Sequence, residues 1–417
     1  MKGEKINMNN KQEELIKKIK EELEKEKIKN IYLTFIDYTG NILFKSVGVK
    51  ELIRNTHVSW FDGISVNGSL ISEFKNIKNS EWMVLLPDSN SFYKIPFIKD
   101  ENQKSAIILC DIKKHPYDTR KLLRNVVNEY FKIGITPIVG PELIYSMELE
   151  ENQNKQINEE NYYSSLPVSK RTQFNNNLVN NILEANIDIE YYMPYGKTDN
   201  RIDLVPDVAN ISADKLFICK WFAENLAYLK NTSIHFSNIE ENEISSCPMH
   251  FSLWKGNREQ NLFFDEKDEF ELSILGKKFI NGIIYHNKFI KAVIKSCTNY
   301  PLKEHITKYS TMRDNSLISV PLYFKEKQKK DRVGWSKRCI YNGINADCNY
   351  YLVIACILYA GLFGINTEKN IEKLAKSDNY SKKELIEEVK ANKYFKQLLN
   401  EDLINKIIQK LENCSEI

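Results

Sequence analysis

The sequence predicts an α+β protein of two domains, and three observations lead there. Short β-rich stretches with one intervening helix fill the chain to about residue 115. Beyond that point helices and strands alternate through a larger region, and no internal repeat breaks the pattern. At 417 residues the chain is long enough for two substantial cores.

The elements follow in order. Residues 1–29 form a Lys/Glu-rich helical segment without an apolar core of its own. Ile31–Ile36 and Ile42–Val47 flank the turn Asp37-Tyr-Thr-Gly40, which reads as a hairpin. Trp82–Leu86 is a second β-rich stretch, stopping at Pro87-Asp88, and Ala106–Cys110 a third, ending near His115-Pro116. Arg120–Gly134 has the apolar spacing of an amphipathic helix and runs into a strand at Ile135–Val139. Residues 149–167 are polar and read as a mobile loop. Then come a helix at Phe174–Ala185, a strand at Ile187–Tyr192, a helix at Ala213–Leu229 and a strand at Met249–Trp254. Lys277–Lys295 reads as one long helix, Leu317–Tyr323 as a strand, and residues 350–363, 382–390 and 400–412 as closing helices.

Composition narrows the function classes. Hydrophobic residues make up 42% and charged residues 28%, ordinary values for a globular protein. A net charge of +3 gives no electrostatic reason to expect nucleic acid or an anionic membrane. No apolar run reaches the roughly 20 residues of a membrane helix, and Tyr350–Ile365 reads as a buried helix. None of the eight cysteines forms a CxxC pair, so free thiols and a cytoplasmic location are expected, with no signal peptide. There is no GxGxxG or P-loop.

Several segments, taken in order, resemble glutamine synthetase from about residue 30 to the C-terminus. Phe35-Ile-Asp-Tyr-Thr-Gly-Asn41 is similar to the opening F-x-D-x-x-G hairpin of that family, and Val66-Asn-Gly-Ser-Leu-Ile71 with Leu85-Leu-Pro-Asp88 to its F-D-G-S-S-I and L-x-P-D pair. Cys110-Asp111 with Asp118-Thr-Arg120 resembles C-D … D-P-R, Gly140-Pro-Glu142 resembles G-P-E-x-E-F, and Ser252-Leu-Trp254 resembles S-L-W. Asn349-Tyr-Tyr-Leu352 with Ala360-Gly-Leu-Phe-Gly-Ile365 resembles N-P-Y-L … A-G-L-x-G-I. The resemblance implies a β-grasp-like domain at 30–115 and, at 116–417, a catalytic-type domain with a curved antiparallel sheet and flanking helices. It also implies ring assembly and, in active members, ATP-dependent joining of ammonia to glutamate through divalent cations.

The residues those cations need are largely replaced. Glu142 keeps the first glutamate of G-P-E-x-E, and Ile144 takes the second. Anchored on Arg201-Ile-Asp-Leu204, the H-H-E strand falls on Tyr191, Tyr192 and Met193, and Arg201 stands where a glutamate belongs. Fixing the register on Ser252-Leu-Trp254 puts Pro248 at the ligating histidine and His250 at the second one. Matching Met249-His250 to M-H instead makes His250 the ligand, at the expense of a two-residue deletion in a strand. Asp314 and Ser319 fall on two arginines, Ile340 on a metal glutamate, Asn342 on an arginine, and Asn67 on an aspartate presented to the neighbouring site.

Charge inversion on one wall with an acid left on another leads to a specific expectation: Arg201 approaches Glu142 and fills the place of a cation, unless it swings to solvent. The leading functional reading is a pseudoenzyme that binds no cofactor and acts as a homo-oligomer or by co-assembly with another protein. The alternative is an active carboxylate–amine ligase with a rebuilt site using ATP and Mg²⁺ or Mn²⁺, for which Asp199, Asp203, Glu304 and Asp314 are the acids to inspect. The basic run from Lys325 to Arg332, with Lys337 and Arg338, reads as a solvated hairpin or loop or as a phosphate or RNA contact. The Tyr162-Tyr163, Tyr191-Tyr192 and Tyr350-Tyr351 pairs read as ordinary packing or as the lining of an apolar pocket.

Overall fold

A computed structural model describes residues 2–54, 58–75, 77, 80–98, 104–147, 170–195, 199–236, 247–298, 302, 304–311, 316–322, 334, 336–367 and 377–414. The chain divides into two units, Met1–Asp118 with Asn176–Asp188, and Thr119–Asn175 with Ile189–Ile417. The polar stretch at 149–167, the basic run at 325–332, Tyr162-Tyr163 and Asp314 lie outside the described residues.

The first unit opens with helix α1 (Lys2–Lys25), which buries Ile16, Ile19 and Leu23, one face at helical spacing. Strands β1 (Asn30–Ile36) and β2 (Ile42–Gly48) form the expected hairpin. Its turn is held by Asp37, whose carboxylate accepts from the backbone N–H groups of Thr39 and Asn41, both at 2.9 Å. After helix α2 (Val49–Arg54) come β3 (Ile64–Val66), β4 (Met83–Lys94) and β5 (Ser105–Ile112), giving the sheet order β2-β1-β5-β4-β3.

Strand β4 does not stop at Pro87-Asp88 as its sequence suggested. It continues to Lys94 because a register shift between Pro87 and Phe92 absorbs the proline and a local Asp88–Asn90 turn. Across the irregularity the Ser91 hydroxyl bonds both the N–H and the carbonyl of Leu109, each at 3.1 Å, and so stands in for the missing ladder bonds.

The second unit carries helices α3 (Thr119–Lys132), α4 (Lys170–Glu184, its first turns only) and α5 (Ala209–Leu229) around a ten-stranded sheet. Strand β6 (Ile135–Met147) is the long central member. It is flanked on one side by β8 (Asp199–Leu204) and then β7 (Ile189–Tyr195), and it also pairs with the short β9 (Asp207–Val208) and β10 (Ile234–His235). On its other side lies β11 (Met249–Lys255), which also pairs β12 (Gln260–Asn261). β13 (Ile306–Ser310), β14 (Ser316–Ser319) and β15 (Cys339–Tyr341) complete the path β13-β14-β15-β11-β6-β8-β7.

The stretch expected as one long helix is two, α6 (Ile274–Tyr285) and α7 (Asn287–Cys297). They break at His286, whose buried ring stacks on Tyr394 with centroids 5.3 Å apart and meets Phe363 edge-on at 4.6 Å. Periodicity carries no sign of the break, because apolar residues continue through it. The chain ends in α8 (Tyr350–Asn366), α9 (Lys382–Ala391), the four-residue α10 (Phe395–Leu398) and α11 (Glu401–Asn413).

The persistent motifs of the second unit turn out to be packing devices. Arg120 donates through Nε and Nη2 to the two oxygens of Asp214, at 2.9 and 2.6 Å, and Tyr351 Oη donates to the same carboxylate at 2.6 Å. Asn349 caps α8 by accepting from Leu352 N–H and reaches Thr119 Oγ1 at 3.1 Å. Thus Thr119 and Arg120, Asp214, and Asn349 and Tyr351 lock together, although far apart in sequence. Gly361 and Gly364 lie where α8 crosses α6, and a Cβ on Gly364 would collide with the Lys278 carbonyl oxygen.

All eight cysteines are free, seven of them buried. Among the described residues no helix is long and apolar enough to cross a membrane.

Candidate functional site

The candidate site lies on one face of the large sheet, and strand alternation decides which residues reach it. Side chains two apart on a strand point the same way, so Gly140, Glu142 and Ile144 share a face of β6. The ladders set opposite them their neighbours of the same parity: Tyr191, Asp203 and Glu142 form one row, and Met193, Arg201 and Ile144 the next. Towards the other edge, Gly140 faces His250, which faces Ile340, which faces Ser319. Nearly every large-domain position singled out from sequence is therefore brought to one surface.

At its centre is a buried charge cluster. Arg201 Nη2 lies 2.7 Å from Glu142 Oε1, the contact expected from the inverted charge. The guanidinium is also held by Asp203, with Nε 2.6 Å from Oδ1 and Nη2 2.6 Å from Oδ2. A two-pronged arrangement of this kind fixes the plane of the guanidinium as well as its position. Tyr191 and Tyr195 cover it, their ring centres 5.7 and 5.8 Å from Cζ, and the Tyr191 hydroxyl lies 3.5 Å from Nη2. Glu142 is 1% exposed, Asp203 3% and Arg201 5%, so the three charges are screened by one another rather than by water.

His250 joins from β11, with Nε2 2.5 Å from Glu142 Oε1. Because the carboxylate only accepts, Nε2 carries the proton of that bond. Burial lowers the His250 pKa and outweighs the upward pull of Glu142, with the Arg338 charge adding to the lowering. Burial would also lower the Arg201 pKa, but the Asp203 bonds and the Glu142 charge raise it above its ordinary value. Burial, helped by Asp203, pushes Tyr191 up to about 12.

The remaining positions are apolar or engaged elsewhere. Ile144 and Ile340 are buried, at 4% and 1% exposure, and Met193 is half-buried beside Arg201. Pro248 is buried, and its carbonyl accepts from the Glu142 backbone N–H at 3.0 Å. The β11–β6 ladder runs from Met249 to Lys255 without a register shift. Asn342 Nδ2 donates to Ser319 Oγ at 3.0 Å and to the Ser316 carbonyl at 3.1 Å. In the first unit, Asn67 caps a short 3₁₀ turn, accepting from Ser69 N–H at 3.0 Å and from its hydroxyl at 2.6 Å.

Of the acids considered as replacement ligands, Asp199, Asp203 and Glu304 lie among the described residues and form no metal-holding group. Asp203 is committed to Arg201, and the Asp199 carbonyl takes a bond from the buried Arg171. Glu304 accepts from the Ser377 hydroxyl. Among the described residues no three or more His, Cys, Asp or Glu side chains are grouped so as to hold a metal ion. One further expectation is corrected, and the packing reading of one tyrosine pair holds. Lys337 is not part of a solvated basic surface: it is fully buried, its ammonium donates to the Pro321 carbonyl at 3.0 Å, and burial lowers its pKa to about 8. Tyr350 and Tyr351 pack on Phe217, with centroids 4.6 and 4.8 Å away, and belong to the core.

Asp203 is the site residue that sequence reasoning placed in the wrong role. The signal that could have found it is its position two residues from Arg201 on the same strand, which puts both on one face.

Comparison with known proteins accords with this arrangement of strands and motifs. Residues 116–408 match the family model described as the glutamine synthetase catalytic domain. A glutamine synthetase of Thermotoga maritima is 26% identical, with 95% of each chain covered. One from Archaeoglobus fulgidus is 25% identical over 84% of this chain and 81% of its own length, and one from Mycolicibacterium smegmatis 26% identical over 82% and 78%. A match across this much of the sequence places the protein: it belongs to the glutamine synthetase family.

Proposed function

We propose that this chain is a pseudoenzyme of the family, acting by binding or assembly without ATP-dependent ligase chemistry. The observation that carries the reading is the Arg201 guanidinium bonded to both Glu142 and Asp203. A nucleotide-bridging cation needs several oxygen donors directed at one point. On this face Ile144, Ile340 and Met193 stand where the family resemblance expects donors, and the two carboxylates already have a cation supplied by the protein. These residues do not fit a pair of Mg²⁺ or Mn²⁺ ions holding ATP.

The framework supports the same reading from the other side. The Arg120–Asp214–Tyr351 lock and the glycine crossing of α6 and α8 serve packing, and they persist where the ligand positions have changed. Leu70 at 84% exposure and Trp82 at 68% are large apolar side chains that association, as a homo-oligomer or with another family member, would cover. Eight free thiols suit a reducing cytoplasm.

The test is calorimetry of the purified protein with ATP in the presence of Mg²⁺ or Mn²⁺, alongside phosphate release in glutamate and ammonia. No metal-dependent nucleotide binding and no turnover are expected. Metal-dependent binding with turnover would establish instead a carboxylate–amine ligase with a rebuilt site.

A further inference from the structure

We propose that the first unit holds a binding site of its own, a cavity that takes a small aliphatic zwitterion: a molecule with an ammonium group, a carboxylate and a hydrocarbon body. The inference goes beyond the pseudoenzyme reading and does not depend on it, because the cavity shares no residue with the Glu142 wall.

The cavity measures about 410 Å³, within the range of small-molecule sites. It opens where the C-terminal ends of α1 and α4 meet the end of β4 and the start of β5, and every lining residue belongs to the first unit. Backbone bonds fix this frame. α1 closes with Lys27 at φ 58° and with Ile28 N–H donating to the Leu23 carbonyl at 2.9 Å. α4 closes in the same way, with Asn186 at φ 61° and Ile187 N–H donating to the Ile182 carbonyl at 3.2 Å. Between them, Lys29 N–H reaches the Lys104 carbonyl at 2.9 Å, and Ile95 N–H the Ser105 carbonyl at 3.1 Å. The mouth is thus preformed, so little ordering opposes the entry of a ligand.

Two features choose the ligand. The floor is hydrocarbon, formed by Ile28 and Ile95, at 6% and 3% exposure, with half-buried Ile98 beside them. Such a surface suits an aliphatic chain. The charges around it are Glu26, Lys94, Lys104 and Glu184. Lys94 is already shared between Glu22 and Glu26, at 3.4 and 3.6 Å. Lys104 and Glu184 have neither an ion pair nor a side-chain hydrogen bond among the described residues. One positive and one negative group are therefore left to bind, and a simple anion or a simple cation satisfies only half of the site. The partial negative charge at the C-terminus of α4 adds to Glu184 and draws the ammonium end there. The carboxylate then falls to Lys104 at the start of β5. An amino acid with a branched aliphatic side chain and an ω-amino acid share this chemistry and differ in the spacing of their charges.

The experiment titrates the full chain by calorimetry with leucine and with 6-aminohexanoate, and with two half-ligands, 3-methylbutylamine and 4-methylpentanoate. Wild type is compared with Lys104→Met and Glu184→Gln, both of which leave the backbone frame untouched. Thermal unfolding checks that each free variant melts with wild type; should one melt early, the other carries the comparison. The expected result is one equivalent of at least one zwitterion, with a Kd on the order of 0.1–1 mM for so small a molecule. Both half-ligands should bind at least about tenfold more weakly, and each substitution should weaken the zwitterion about tenfold, as loss of one charge-assisted bond does. Lys104→Met should leave 3-methylbutylamine unchanged, and Glu184→Gln should leave 4-methylpentanoate unchanged. Saturable binding of neither zwitterion overturns the proposal. So does binding that both substitutions leave unchanged, which places the molecule elsewhere on the chain. Half-ligands that bind as tightly as the zwitterion also overturn it, since one charge then suffices.

Discussion

Replacing Asp214 by asparagine tests whether the preserved motifs are structural. Asp214 accepts two charge-assisted bonds from Arg120, at 2.9 and 2.6 Å, and a third from Tyr351 Oη at 2.6 Å. Arg120 and Asp214 side chains are both about 5% exposed, so water screens neither. The amide keeps the shape but removes the charge, and it offers one acceptor oxygen where two are used. Breaking a buried pair by removing one partner costs about 3–5 kcal/mol, because the other charge stays buried. Asparagine retains part of the bonding, so about 3 kcal/mol is expected for Asp214→Asn.

Urea unfolding of the full chain, followed by far-UV circular dichroism, reads this directly. With a slope of about 3 kcal/mol per molar, the midpoint falls by about 1 M. The double variant Arg120→Met/Asp214→Leu removes both charges, and an apolar pair of similar volume is often close to neutral. The coupling between the two positions should then exceed about 2 kcal/mol. A loss below about 1 kcal/mol for Asp214→Asn, or simple additivity in the double variant, would refute the argument that these motifs interlock.

Two further outcomes follow from packing and burial. Gly364→Ala forces a Cβ onto the Lys278 carbonyl, a backbone atom that cannot step aside, and should lower stability by about 1–3 kcal/mol; Gly48→Ala, with nothing within 4 Å, should stay within about 0.5 kcal/mol in the same melts. His115 and His286 are both held neutral by burial, with pKa values of about 4. Because the folded values lie below the unfolded one of about 6.5, their stabilisation is complete above that pH and is lost as pH falls from there towards 4. Each should cost about 2 kcal/mol by pH 5. Denaturation at pH 7.5 and 5 checks this, and His286→Gln should remove its share of the slope. For His115 the bonds agree: Nδ1 accepts from Tyr117 N–H at 3.1 Å, which leaves Nε2–H to donate to Ser80 at 2.9 Å, and a second ring proton would face a donor.

The amino-acid sequence by itself determined the family framework, the order of most elements and which residue types stand along the candidate wall. These are legible because alternation and short motifs are local: Glu142 with Ile144, or Arg201 with its strand, need only a period of two to be placed on a face. The hairpin at Asp37 was equally readable, since its carboxylate bonds lie within four residues.

Only the tertiary structure decided which partners those side chains choose. Asp203 looked like a spare acid and proved to be the fork that aims Arg201, while Glu142 takes bonds from β8 and β11 at once. Lys337 looked solvated and is sealed beneath the Pro321 carbonyl. The helix break at His286 and the continuation of β4 through Pro87 depend on an aromatic cluster and on the Ser91 hydroxyl meeting Leu109. In each case the deciding contact joins residues distant in sequence or turns on burial. A pattern along the chain gives the face a side chain takes, whereas its partner is chosen by what the fold brings against that face and by the need to satisfy every buried charge there.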